Sequence, residues 1–273
     1  MTQKDMLITL SSDFAVQSQG VGIMEAAALE INPKAKVVHL MHGLPDFDMT
    51  TAAWAMESIF CLNPGIHVCV VDPGVGTERK AIAILTRRGD ILVGPDNGVL
   101  MPAARLLGGI VKAVSLEDED YMRKPVSPIF HGRDIFTPAA AHLSRGVAID
   151  ELGPEIQDLV DAPYEEAKVQ EKRIKSQVIH VNKFGSVHLN ILQDEFDRLG
   201  VGIGDQLNVK IQGKNIAARY SNTFGEVDKG KVAIMKDDYM RIEIAANSAS
   251  LMHSLGYEDP AKLMGSDVLV ELS

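Results

Sequence analysis

Two hydrophobic periods, one in each half of the chain, constrain this sequence more than any other feature. In the first half, short apolar runs ("MLITL", "KVVHL", "HVCVV", "AIAIL", "DILVG", "GIVKAV") are separated by stretches with helical spacing at 22–31, 49–60, 98–107 and 134–144. Strands that alternate with helices predict a layered α/β domain with a mostly parallel sheet. After residue 175 the helical period vanishes, and "QVIHV", "SVHLNIL", "QLNVKI", "NIAARY", "KVAIM", "RIEIA" and "DVLVEL" follow one another with turn signals between. That pattern predicts an all-β, barrel-like domain. The expected division is therefore residues 1–160 for the α/β domain and 175–273 for the β domain. The charged stretch "DLVDAPYEEAKVQEKRIKS" between them reads as a linker.

The composition is that of a globular chain, with 46% hydrophobic and 23% charged residues. A net charge of −10 argues against nucleic acid as a main partner, because phosphate binding rests on clustered Lys and Arg. Cys61 and Cys69 lie in apolar surroundings and read as reduced packing residues. No run approaches the ~18 apolar residues of a membrane span, and the first residues carry no leader pattern, so a cytoplasmic protein is expected.

Several motifs fail on inspection. Residues 225–232, "GEVDKGKV", spell most of a phosphate-binding loop, but Val232 stands where a magnesium-ligating hydroxyl is needed, and the segment lies among strands. "GVGIME" at 20–25 has Glu25 in place of the third glycine of a dinucleotide fingerprint. No His-Glu-x-x-His, Cys-x-x-Cys or Gly-x-Ser-x-Gly occurs, so neither a zinc site nor a serine nucleophile elbow is indicated. His67, His142, His180 and His188 read as packing residues.

What survives is a set of polar groups at strand ends, where open α/β sheets place their ligands. "TLSSDF" ends a strand in Asp13. "HVCVVDPGVGTERKAIAIL" holds Asp72 after one strand and Arg79 before the next, and "PIFHGRDIFTPAAAHL" sets His131 and Gly132 before a helix. A histidine at a helix N-terminus near an arginine should have a pKa below the usual ~6.5 and be available as a base at neutral pH. Taken singly, an Asp and an Arg seven residues apart can also simply pin a turn.

Together, "VDPGVGTER", "PDNG" at 95–98 and "FHGRDIFTPAAAHL" resemble the S-adenosyl-L-methionine (SAM) hydroxide adenosyltransferases, adenosine-forming SAM hydrolases related to fluorinase and chlorinase. The likeness extends through "INPKAKVVHLMHGLP", "NKFGSVHLNI" and "IEIAAN". It implies hydrolysis of SAM to adenosine and L-methionine, with Asp72, Arg79 and His131 as the water-activating set and SAM consumed as substrate without metal or cofactor. It further implies that Asp13 holds the ribose diol and that Phe47, Asn182, Phe184, Ser186 and Asn247 line the substrate site. The active assembly would be a homotrimer in which the second domain of one subunit serves the first domain of another. Halide attack at the same carbon, for which Gly132 would leave room, and non-catalytic SAM or adenosine binding are the competing readings. Two departures from the family wording stand out: Ala15 where relatives often carry glycine after Asp-Phe, and Asn182 and Ser186 where they usually carry Asp and Asn.

Overall fold

The computed structural model describes residues 6–272. The chain divides into two compact units, the first running to Pro163 and the second beginning at Tyr164.

The first unit is a six-stranded sheet with helices. Its strands are β1 (Ile8–Ser12), β2 (Val37–Met41), β3 (Ile66–Val70), β4 (Ala81–Thr86), β5 (Ile91–Pro95) and β6 (Ile110–Ser115). Its helices are α1 (Gln19–Ile31), α2 (Met49–Glu57), α3 (Met101–Leu106) and α4 (Thr137–Ser144). The strand order is β2-β1-β3-β5-β4-β6, parallel from β2 to β5, with β4 antiparallel to both its neighbours. Alternate residues Ile8, Leu10, Ile66, Val68, Ile91 and Val93 form one buried face with Met24 of α1 and Ala139, Ala140 and Leu143 of α4. The opposite face is also buried at Cys69, Ile82, Ile84 and Leu92. A sheet buried on both sides explains why these strands read as continuous apolar runs.

The strand before Asp72 and the strand after Arg79 are consecutive in the chain but not neighbours in the sheet. β5 lies between β3 and β4, so residues 71–80 cross the end of β5 instead of closing a hairpin. The helix expected at 134–144 is also different: a π-helical turn, Gly132–Phe136, precedes α4.

The second unit contains β7 (Lys168–Gln170), β8 (Arg173–Val181), β9 (Val187–Leu192), α5 (Gln193–Asp197), β10 (Gln206–Ile211), β11 (Lys214–Tyr220), β12 (Val232–Lys236), β13 (Arg241–Ala246), α6 (Leu251–Ser254) and β14 (Asp267–Leu272). Pairing of β14 with β8 closes seven strands into a barrel, and β7 is an extra edge strand on β8. Inward residues such as Ile174, Val178, Leu189, Val209, Ile234, Ile244 and Val270 fill it, with Phe196 edge-on to Tyr220 at 5.1 Å. The charged stretch read as a linker therefore contributes strand structure: β7 and the start of β8 lie within it.

Candidate active site

The site of the first unit grows from the shared edge where β1 and β3 end. The two strands run parallel in register, with Ser12 beside Val70, so the next residues of each chain segment, Asp13 and Val71-Asp72, leave the sheet at the same edge. The 71–80 loop is held at both ends by the "PDNG" segment. Asn97 donates its side-chain amide to the Val71 carbonyl at 2.9 Å, and Asp96 donates its backbone N–H to Lys80 at 2.9 Å. Gly76, at φ +76°, brings the loop so close to the 128 segment that a Cβ there would lie 2.3 Å from the Pro128 carbonyl oxygen. The glycine is needed for this approach and does not cradle a phosphate.

This approach brings Asp72, Arg79 and His131 together. Arg79 donates from Nε to Asp72 Oδ1 at 3.0 Å and from Nη2 to Asp72 Oδ2, forming a bidentate pair whose side chains are 7% and 5% exposed. Nη2 also lies 3.1 Å from His131 Nδ1. A guanidinium can only donate, so Nδ1 accepts and the ring hydrogen of the neutral imidazole sits on Nε2. Phe136 backs the group, 5.4 Å from the guanidinium carbon and edge-on to His131. Arg79 Nη1 is buried without a partner, an unmet donor of the kind that polar ligands or water satisfy.

The pKa of His131 is lowered, as the sequence predicts, but for a different leading reason. Burial contributes most and Arg79 next, while Asp72 and Asp134 oppose them. The imidazole does not cap the helix; it is spent on Arg79. Gly132 has a packing role. A Cβ on it would lie 2.9 Å from Met24 Sδ and 3.0 Å from Val70 Cγ1, so the space expected for an anion is filled by side chains.

Asp13 and Phe47 are also joined, since Asp13 Oδ2 accepts the Phe47 N–H at 3.1 Å. Phe47 is 67% exposed and holds φ +59°, and Ala15 holds φ +64°, a left-handed conformation that favours glycine.

In the second unit, Asn182 braces a turn. Its Oδ1 accepts from the N–H groups of Phe184 and Ser186, and its Nδ2 reaches toward Glu243 at 3.4 Å. Ser186 is buried and Phe184 is 69% exposed at the turn's tip. Asn247 is held in another turn, donating to the Val227 carbonyl and accepting from Ser248. Sequence reasoning did not single out Asn97 or Glu243. Asn97 lay within a quoted motif, and the signal for Glu243 was a carboxylate inside the apolar run "RIEIAA". Among the described residues, no group of three or more His, Cys, Asp or Glu is arranged to hold a metal ion, and no helix is long and apolar enough to cross a membrane.

Known proteins resemble this chain over both of its units. The SAM hydroxide adenosyltransferase N-terminal domain matches residues 8–153, and the C-terminal domain of the same family matches residues 176–263. The (R)-S-adenosyl-L-methionine hydrolase of Salinispora tropica is 31% identical over 254 residues, covering 91% of this chain and 93% of that protein. The protein of the same name from Thermus thermophilus is 35% identical over 266 residues, covering 93% and 97%. The crystal structure of an uncharacterized conserved protein from Thermotoga maritima superposes with a TM-score of 0.89 at 30% identity, covering 97% of this chain and 99% of that one. With both halves of the chain matched, the protein belongs to the SAM hydroxide adenosyltransferase family.

Proposed function

We propose that this protein hydrolyses S-adenosyl-L-methionine, in the (R) form named for its relatives, to adenosine and L-methionine. The observation that carries the reading is the Asp72–Arg79–His131 cluster with its unpartnered, buried Arg79 Nη1. Water attacks ribose C5′, the new C–O bond forms as the C–S bond breaks, and the bonding pair leaves with sulfur as a neutral thioether. The leaving group needs no proton, so the reaction calls for no metal or cofactor, only a deprotonated and aligned nucleophile.

His131 is the proton acceptor: its one free lone pair, on Nδ1, takes the proton of water once the ring turns away from Arg79 Nη2. Arg79 stabilises the hydroxide as it develops, and Asp72 holds the guanidinium in place and offsets the imidazolium that forms. Asp13, an acceptor for both ribose hydroxyls, fixes the sugar. Phe47, Asn182, Phe184, Ser186 and Asn247 complete the substrate site. The second-unit residues come from a neighbouring subunit of a cytoplasmic homotrimer. Exposed apolar side chains favour such an assembly: Val16 at 71%, Phe47 at 67% and Ile129 at 80% in the first unit, and Phe184 at 69% in the second. Halide attack is disfavoured because Met24 and Val70 fill the space beside Gly132.

The test is incubation with SAM followed by chromatography, wild type against His131→Ala. Adenosine from the wild type and its near-absence from the variant are expected. Tight SAM binding without turnover by the wild type would leave a binding protein in place of an enzyme.

A further inference from the structure

A second polar chain, which the proposed chemistry does not use, runs from the strand edge to the surface. Ser12 Oγ lies 2.7 Å from His42 Nδ1, His42 Nε2 lies 2.8 Å from His39 Nδ1, and His39 Nε2 lies 3.0 Å from Glu25 Oε2. Ser12 is 0% and His42 4% exposed, whereas the side chains of His39 and Glu25 are 33% and 40% exposed. The carboxylate at the outer end sets the direction of every link. Glu25 can only accept, so His39 donates from Nε2 and accepts at Nδ1. His42 in turn donates from Nε2 and accepts at Nδ1, and the Ser12 hydroxyl must donate to it. Burial, with His39 beside it, lowers the pKa of His42 to about 4, which keeps that ring neutral and Nδ1 open as an acceptor.

With its hydrogen committed to His42, Ser12 Oγ presents its lone pairs to the backbone, where it accepts the Phe14 N–H at 3.3 Å. That bond spans Asp13 and closes the turn on which the carboxylate is mounted. The other restraint on Asp13 comes from the same side, because the Phe47 N–H that binds Oδ2 follows His42 in the segment after β2. We propose that His42 is a positioning residue for Asp13, acting through Ser12, in a relay whose polarity is set by Glu25.

The proposal rests on the reading that Asp13 binds the ribose hydroxyls, and it makes a demand that general structural support would not. The effect of breaking the relay must depend on those hydroxyls. Titration calorimetry of the full-length protein with adenosine and with 2′,3′-dideoxyadenosine separates the two cases, for wild type, His42→Ala, His42→Asn and the surface variant Glu25→Ala. The last alters a half-exposed residue and keeps the test open if loss of His42 impairs folding.

His42→Ala should weaken adenosine binding about tenfold, the scale of a hydrogen bond to a charged group, and leave the dideoxy ligand unchanged. Glu25→Ala should act in the same sense by a smaller factor, and His42→Asn, whose Oδ1 can stand in for Nδ1, should recover part of the loss. With SAM as substrate, the loss should appear in KM and not in kcat, as for an interaction made equally in ground and transition states. Equal weakening of both ligands, or unchanged adenosine binding in both His42→Ala and Glu25→Ala, would overturn the proposal. Failure of the wild type to turn over SAM would reject the hydrolase reading alone, because the calorimetric comparison does not depend on turnover.

Discussion

Replacing Asp72 by Asn tests the arrangement at its most charged point. The substitution keeps the shape of the side chain but removes the negative charge from a bidentate pair whose members are 5% and 7% exposed. Both carboxylate oxygens accept guanidinium hydrogens, so the amide nitrogen confronts a donor whichever way the side chain turns. Breaking a buried pair by removing one partner costs about 3–5 kcal/mol, chiefly because the remaining charge is left uncompensated. Chemical denaturation of the full protein should show a loss of that size, and the thermal midpoint should fall by roughly 10 °C. Function should change in a second, separable way. Asp72 supports the protonated form of His131, so its loss should depress the His131 pKa further and shift the acid limb of kcat/KM to still lower pH. The reasoning is refuted if Asp72→Asn unfolds within about 1 kcal/mol of wild type, on the scale of an exposed pair.

The remaining predictions concern pH, backbone and packing. Because burial and Arg79 lower the His131 pKa, the neutral base should persist below the ordinary histidine value of ~6.5, and kcat/KM should fall only below that pH in a rate profile. The same shift has a definite sign for stability. The unfolded chain binds the proton more readily, so this residue's contribution decreases as pH falls through the unfolded value toward the folded one, which acid titration of the denaturation midpoint would show. Ala15→Gly should raise stability by roughly 0.5–1 kcal/mol: the left-handed conformation costs an L-residue about 1–2 kcal/mol, partly offset by the entropy glycine adds to the unfolded chain. Gly132→Ala should cost about 1–3 kcal/mol by overpacking against Met24 and Val70, with lower activity because His131 is the adjoining residue. Calorimetric scans and initial rates measure both.

How far the sequence reached depended on the range of the interactions involved. Strands such as "KVAIM" and "DVLVEL" announce themselves because an alternating or continuous apolar run is a local property, and both lie within a residue of β12 and β14. The place of β5 between β3 and β4 is not local: it reflects which strands pair across the whole sheet, and no period within residues 66–95 encodes it. β7 was hidden because it is an edge strand whose one apolar residue, Val169, packs on the barrel while Lys168 and Gln170 read as linker. The identities of Asp72, Arg79 and His131 were legible in their motifs. Which nitrogen of His131 faces Arg79 was not, since that follows from the fold of the 71–80 loop against the segment around Pro128. Gly132 could be read from sequence either as space for an anion or as close packing, and only the positions of Met24 and Val70 decide between them.

The central claim is that oxygen from water becomes bonded to ribose C5′. Turnover of SAM in water enriched in oxygen-18, with chloride present and mass analysis of the nucleoside product, measures this directly. The account predicts adenosine carrying the label at its 5′ oxygen, formed by the wild type and not by His131→Ala. A 5′-chlorinated nucleoside, or adenosine without the label, would contradict it.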